Sequence, residues 1–129
     1  MLTCNLIDEV LPLFEIDQTS LFKNNVNILS DIVLSQHSLQ HLSKPIKINV
    51  VQTNERNYTT IIAGNGTKVL VNDNFTFGYN GSGPSWLSDA IKEVDSTADI
   101  TPITQTYHDK NGIDINSNEK SYTLEMNIS

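Results

Sequence analysis

Four residues, Gly64-Asn65-Gly66-Thr67, constrain this chain more than any others. An Asn-Gly pair tolerates the positive φ angles of a tight turn, and strand-forming runs flank it on both sides. Strands joined so closely run antiparallel. The two runs are Tyr58 to Ala63 and Lys68 to Val71. A further strand is expected just upstream, where Ile46, Ile48 and Val50 alternate with Lys47, Asn49 and Val51. The cleanest alternation closes the chain: Tyr122, Leu124, Met126 and Ile128 against Thr123, Glu125 and Asn127.

Other segments extend this pattern. Asn72-Asp73-Asn74 reads as a turn, after which Phe75 to Phe77 resumes a strand. Another strand is expected through Ile103, Gln105 and Tyr107, ending in a turn at Asp109-Lys110-Asn111-Gly112. The first 45 residues carry a different period. Leu6, Ile7, Val10, Leu11 and Phe14 recur at helical spacing, with Pro12 as a break. Phe22, Val26, Leu29 and Val33 line a second expected helix, with Asp17 or Thr19 as cap and Pro45 beyond its end. A short helix is expected at about residues 85–94, Trp86 to Val94, started by Pro84. Trp86 reads as its core anchor. The fold class is therefore α+β: a mainly antiparallel sheet, N-terminal helices, and one short helix after a glycine-rich loop.

At 129 residues the chain fits a single domain, 1–129, mostly helical over 1–45 and strands plus one helix over 46–129. A domain this size buries a core without disulfides, and its one cysteine, Cys4, cannot form one internally. The N-terminal stretch lacks a basic region, and no run approaches the roughly 18 apolar residues of a membrane span. The expectation is a cytoplasmic protein without membrane contact.

The net charge is −7, from 8 basic and 15 acidic residues. Direct nucleic-acid binding is disfavoured, because a phosphate-backbone binder needs a basic surface. The charge is uneven: −3 over residues 1–45, +1 over 46–83 and −5 over 84–129. Asp89, Glu93 and Asp95 lie in the acidic last part, and Asp89 and Glu93 are four apart on the expected helix. They form a candidate acidic patch for a partner with a basic surface.

The densest special-backbone segment is Phe77-Gly78-Tyr79-Asn80-Gly81-Ser82-Gly83-Pro84. It falls between an expected strand and an expected helix, where backbone N–H groups and the helix dipole converge. Gly78, Tyr79, Asn80, Gly81, Ser82 and Gly83 are thus candidate contacts for a partner or a small anionic, nucleotide-like ligand. The segment is not a Walker loop, since no lysine follows Gly83, and its glycine spacing is not that of a dinucleotide fingerprint.

Lys68-Val69-Leu70-Val71, then Phe75-x-Phe77-Gly78-Tyr79-x-Gly81-Ser82-Gly83-Pro84-x-x-Leu87-x-x-Ala90-Ile91, resembles a family of small bacterial and phage proteins, the domain-of-unknown-function family 6166. The resemblance covers about residues 57–93. Asn80 stands where that family has a second glycine, and Phe77 where it usually has tryptophan. The resemblance implies a bacterial or mobile-element origin and supplies no reaction.

Other constellations are weaker. His37 and His41 share a helical face but lack a third ligand nearby. Asp109 to Asn116, with Glu119, is spaced like a calcium loop, yet Ile113 and Asp114 occupy the positions that need an oxygen donor and glycine. A Ser82–His108–Asp nucleophile lacks the nucleophile-elbow pattern. No catalytic residue, metal or cofactor is assigned.

The expectation is a non-enzymatic phage or mobile-element inhibitor of a host defence system, blocking a protein partner or sequestering a nucleotide-like ligand. One alternative is a phosphate-handling enzyme built on the glycine loop, with His108, Asp73 or Asp89 as base. The other is an oligomeric structural or immunity-type subunit, pairing through Tyr122 to Ile128 as an open edge.

Overall fold

A computed structural model of the chain describes residues 1–11, 26–29, 38–54, 56–72, 75–117 and 120–129. Its centre is a six-stranded sheet of β1 (Leu2–Ile7), β2 (Val26–Leu29), β3 (Ile46–Gln52), β4 (Asn57–Ile62), β5 (Lys68–Asn72) and β6 (Tyr122–Ile128). Their spatial order is β1-β6-β3-β4-β5-β2. All pairs are antiparallel except β2 with β5, which is parallel. Two helices follow the glycine loop, α1 (Ser82–Val94) and the single turn α2 (Thr101–Thr104).

The hairpin between β4 and β5 forms as its sequence predicts. Ala63 N–H donates to the Thr67 carbonyl at 2.9 Å, and Gly66 takes a φ of +88°. Asn65 Oδ1 accepts the Thr67 N–H at 3.0 Å. Alternation sorts side chains between two faces. On one face Ile46, Ile48, Val50, Ile61, Val69, Leu124, Met126 and Ile128 meet Leu87, Ala90 and Ile91 of α1 in the main core. On the other, Val51, Tyr58 and Leu70 form a smaller cluster. The chain after β1 crosses this second face: Tyr58 Oη donates to the Leu11 carbonyl at 3.0 Å, and Thr123 Oγ1 to the Glu9 carbonyl at 2.8 Å.

The N-terminal helices are not formed where the structure describes them. Leu6 and Ile7 belong to β1, which pairs with β6 from Leu2 opposite Ile128 to Ile7 opposite Thr123. The apolar residues Leu2, Cys4 and Leu6 follow a period of two, and a full ladder to β6 overrides the local helical spacing. Val26 and Leu29 lie in β2, not in a helix. The remainder of that expected helix, with Phe22 and Val33, and also Pro12, Phe14, Asp17, Thr19 and His37, lies outside the described residues, as does the turn at Asp73-Asn74.

Three further expectations are corrected. Phe75 to Phe77 is not a strand; all three residues are buried in an irregular segment. Ile103 lies in α2, because Asp99 Oδ1 accepts from the Thr101 N–H and hydroxyl at 3.0 and 2.7 Å, and Pro102 occupies the first turn. Only an isolated bridge, His108 with Asp114, survives of the strand expected there. Most consequentially, β6 is no edge: it pairs with β1 on one side and β3 on the other. Self-pairing through Tyr122 to Ile128 therefore has no backbone groups to use. Among the described residues no helix is long and apolar enough to cross a membrane.

Candidate helix face and glycine loop

The loop is tied down from both sides. Gly78 N–H donates to the Ile103 carbonyl at 2.8 Å, and Asn116 Nδ2 donates to the Gly78 carbonyl at 2.9 Å. Asn116 Oδ1 in turn accepts from Gln52 Nε2 of β3 at 2.5 Å. Gly78 sits at a φ of +88°, and a Cβ there would meet Asn116 Nδ2 at 3.3 Å. The positive φ is what favours glycine here, and a Cβ would in addition press on the Asn116 amide. Just upstream, Phe77 is fully buried and packs edge-on against Tyr107, with ring centroids 6.1 Å apart.

Tyr79 leaves the core. It is 41% exposed, while its hydroxyl accepts from Thr76 Oγ1 at 2.8 Å. The ring lies over Gly81, where an added Cβ would come within 2.6 Å of it. Asn80 and Ser82 are exposed and Gly83 is buried. α1 begins at Ser82, earlier than the Trp86 expected from sequence. Gly81 is its extended N-cap residue and its carbonyl accepts the Ser85 N–H at 3.0 Å. Pro84 falls inside the first turn, so that position carries no N–H. Ser88 Oγ donates back to the Pro84 carbonyl at 2.7 Å.

The inward stripe of α1 is Gly83, Pro84, Leu87, Ser88, Ala90 and Ile91. Residues three and four apart share a helix face, so the outward side collects Ser82, Trp86, Asp89 and Glu93. Trp86 is 42% exposed. That corrects its reading as a core anchor: Leu87, Ala90 and Ile91 take that role. Its place was legible from the phase of those three residues, which turns Trp86 to the flank of the stripe. Trp86 thus joins the candidate surface as the largest side chain on it.

Asp95 does not belong to the same face. It follows the end of α1, where its Oδ1 accepts from the Thr97 N–H and hydroxyl at 3.2 and 2.9 Å. The Thr97 hydroxyl chiefly holds its carboxyl below the usual range. It also stands 3.7 Å from the Met1 amine. Of the three acidic candidates, Asp89 and Glu93 lie together on α1.

The remaining candidates have structural surroundings. Asp109 Oδ1 accepts the Asn111 and Ile113 N–H groups at 2.8 and 3.0 Å, so its spacing serves a turn. His41 ends a short 3-10 turn, Ser38–His41. Glu119 lies outside the described residues. Burial, with the Asp99 charge second, pushes the Cys4 thiol up to about 11, which disfavours the reactive thiolate. His108 lines a cavity of about 310 Å³ with Leu6, Asp8, Asp109 and Lys120, and a second cavity of about 570 Å³ lies by Lys44, Asp95 and Asp99. Ser82 lines neither. Among the described residues no three His, Cys, Asp or Glu side chains gather as metal donors.

No protein-family model, no curated protein and no solved structure matches the chain.

Proposed function

We propose that this chain is a small cytoplasmic, non-enzymatic binding protein of phage or mobile-element type. It inhibits a host defence system by occupying a host protein with a basic surface. Its contact surface is the outward side of α1 together with the loop that leads into it. The observation that carries this reading is the exposure of Trp86 on the side of α1 that also bears Asp89, with Tyr79 exposed just before the helix.

Tryptophan and tyrosine are the side chains that most often anchor protein interfaces. Acidic groups beside them steer a basic partner and reject an acidic one. The chain's net charge of −7 adds a long-range field of the same sign. The resemblance over residues 57–93 supports the origin. A phosphate finds less at the loop: the Gly78 N–H is engaged by Ile103, and Pro84 has no N–H to give.

Affinity capture from a bacterial lysate, with intact-mass analysis of the eluate, tests this. The expected result is a retained protein with a basic surface, absent when Asp89→Lys and Glu93→Lys are combined. A nucleotide mass that co-elutes and disappears with Gly81→Val would instead support ligand sequestration. Turnover of a nucleotide would support the enzyme alternative.

A further inference from the structure

Asparagine followed by glycine is the pair in which a backbone nitrogen most readily attacks the preceding side-chain amide, because glycine has no Cβ to hinder the approach. The chain has three such pairs, Asn65-Gly66, Asn80-Gly81 and Asn111-Gly112. All three asparagines are exposed, so access to water does not separate them. Hydrogen bonding does. Gly66 N–H donates to the Ala63 carbonyl at 3.0 Å, and Gly112 N–H to the Asp109 carbonyl at 3.0 Å. Both glycines sit in tight turns, at φ of +88° and +77°. Each turn is closed by a further bond, from Ala63 N–H to the Thr67 carbonyl at 2.9 Å and from Asp109 N–H to the Ile113 carbonyl at 2.8 Å. At Asn65 the side-chain oxygen is held as well, by the Thr67 N–H.

Asn80-Gly81 differs on each count. Gly81 has extended backbone, with φ −173° and ψ −168°. Among the described residues neither its N–H nor the Asn80 side chain has a hydrogen-bond partner. The nucleophile is therefore free of the bond that occupies it at the other two sites, and the amide it attacks is free to turn toward it. α1 begins at the next residue, and the positive end of its dipole favours the negative charge that develops on the Gly81 nitrogen and the amide oxygen.

We infer that Asn80 is the site at which the folded chain modifies itself, closing onto Gly81 as a succinimide that water opens to aspartate and isoaspartate. The Gly81 nitrogen gives its proton to hydroxide and bonds to Asn80 Cγ. The Cγ–Nδ2 bond breaks, and ammonia leaves with a proton taken from water. Water then adds to one of the two ring carbonyls. Opening at Cγ restores the main chain with an aspartate; opening at the backbone carbonyl leaves Gly81 joined through Cγ, as isoaspartate. No reactant other than water is consumed. Either product adds one negative charge to a net charge of −7. The new carboxylate stands just before the N-cap of α1, where the helix dipole favours it. Isoaspartate also lengthens the main chain between Tyr79 and Gly81 by one methylene. An effect of these changes on partner capture rests on the contact surface proposed above, whereas the reaction itself does not.

The test is peptide mapping by mass spectrometry on the full chain aged in mildly alkaline buffer, with conversion at each site read from the mass gained when an amide becomes a carboxylate. In the folded chain Asn80 should convert at least about tenfold faster than Asn65 or Asn111, the rate ratio that corresponds to about 1.4 kcal/mol and is within reach of one hydrogen bond. In guanidinium chloride the turns are lost, and the three sites should convert at similar rates. Asn80→Gln, whose longer side chain must close a larger ring, should keep the far-UV circular dichroism of the parent and lose the main acidic variant that isoelectric focusing finds in the aged protein. Conversion of Asn65 or Asn111 as fast as Asn80 in the folded chain would overturn the assignment. So would conversion of Asn80 only after unfolding, or the same acidic variant arising from Asn80→Gln.

Discussion

Phe77→Ala is expected to destabilise the fold by about 3–5 kcal/mol, as truncation of a fully buried phenylalanine does. Phe77 has no solvent exposure and stands edge-on to Tyr107. Both neighbours of that pair matter. Tyr107 Oη donates to the Pro102 carbonyl, which fixes it against α2. The next residue after Phe77 is Gly78, whose N–H is held by the Ile103 carbonyl. Removing the ring leaves a cavity where the irregular 75–78 segment, α2 and the sheet come together. Small domains are stable by only about 5–15 kcal/mol, so this one change removes a large share. Urea unfolding followed by circular dichroism at 222 nm reads it as a lower midpoint with an unchanged slope. A loss below about 1 kcal/mol would mean that the segment is not anchored as described.

Trp86→Ala is expected to act in the opposite way, weakening capture of the partner by at least about 30-fold, the effect of losing an interface hot spot of about 2 kcal/mol. Fold stability should change by less than about 1 kcal/mol, because Trp86 is not among the residues that α1 buries against the sheet. The comparison with Phe77 separates folding from binding. Two aromatic residues nine positions apart serve different ends: one holds the loop and the other stands on the surface it presents. Isothermal titration against the captured partner gives the affinity, and the same urea titration gives the stability. Equal affinity for both chains would remove Trp86 from the interface.

The parts of the fold legible in the sequence are those with local signals. The β4–β5 hairpin was readable because Asn65-Gly66 accepts turn geometry that few other pairs do. β6 was readable because Tyr122, Leu124, Met126 and Ile128 face one core. β1 was not, since Leu6, Ile7, Val10 and Leu11 also fit a helical spacing and only the distant ladder with β6 decides between them. The edge of the sheet was misplaced for the same reason: a period of two identifies a strand but not its neighbours. At the candidate surface, Asp89 and Glu93 followed from helical spacing alone. Asp95 is near them in sequence only: the helix ends before it and Thr97 engages its carboxylate. Trp86 reads as a core residue by type alone, since tryptophan is highly buried on average, and only the phase of Leu87, Ala90 and Ile91 turns it outward.

The central claim is that the outward side of α1 meets a protein partner. The chain has a single tryptophan, so its intrinsic tryptophan fluorescence reports Trp86 alone. Acrylamide quenching of that emission, free and in complex with a captured partner lacking tryptophan or labelled to separate its signal, is the most direct measurement. The account predicts easy quenching in the free protein, with a clear fall in quenching and a blue shift on binding. Quenching that is unchanged in a saturated complex would contradict it.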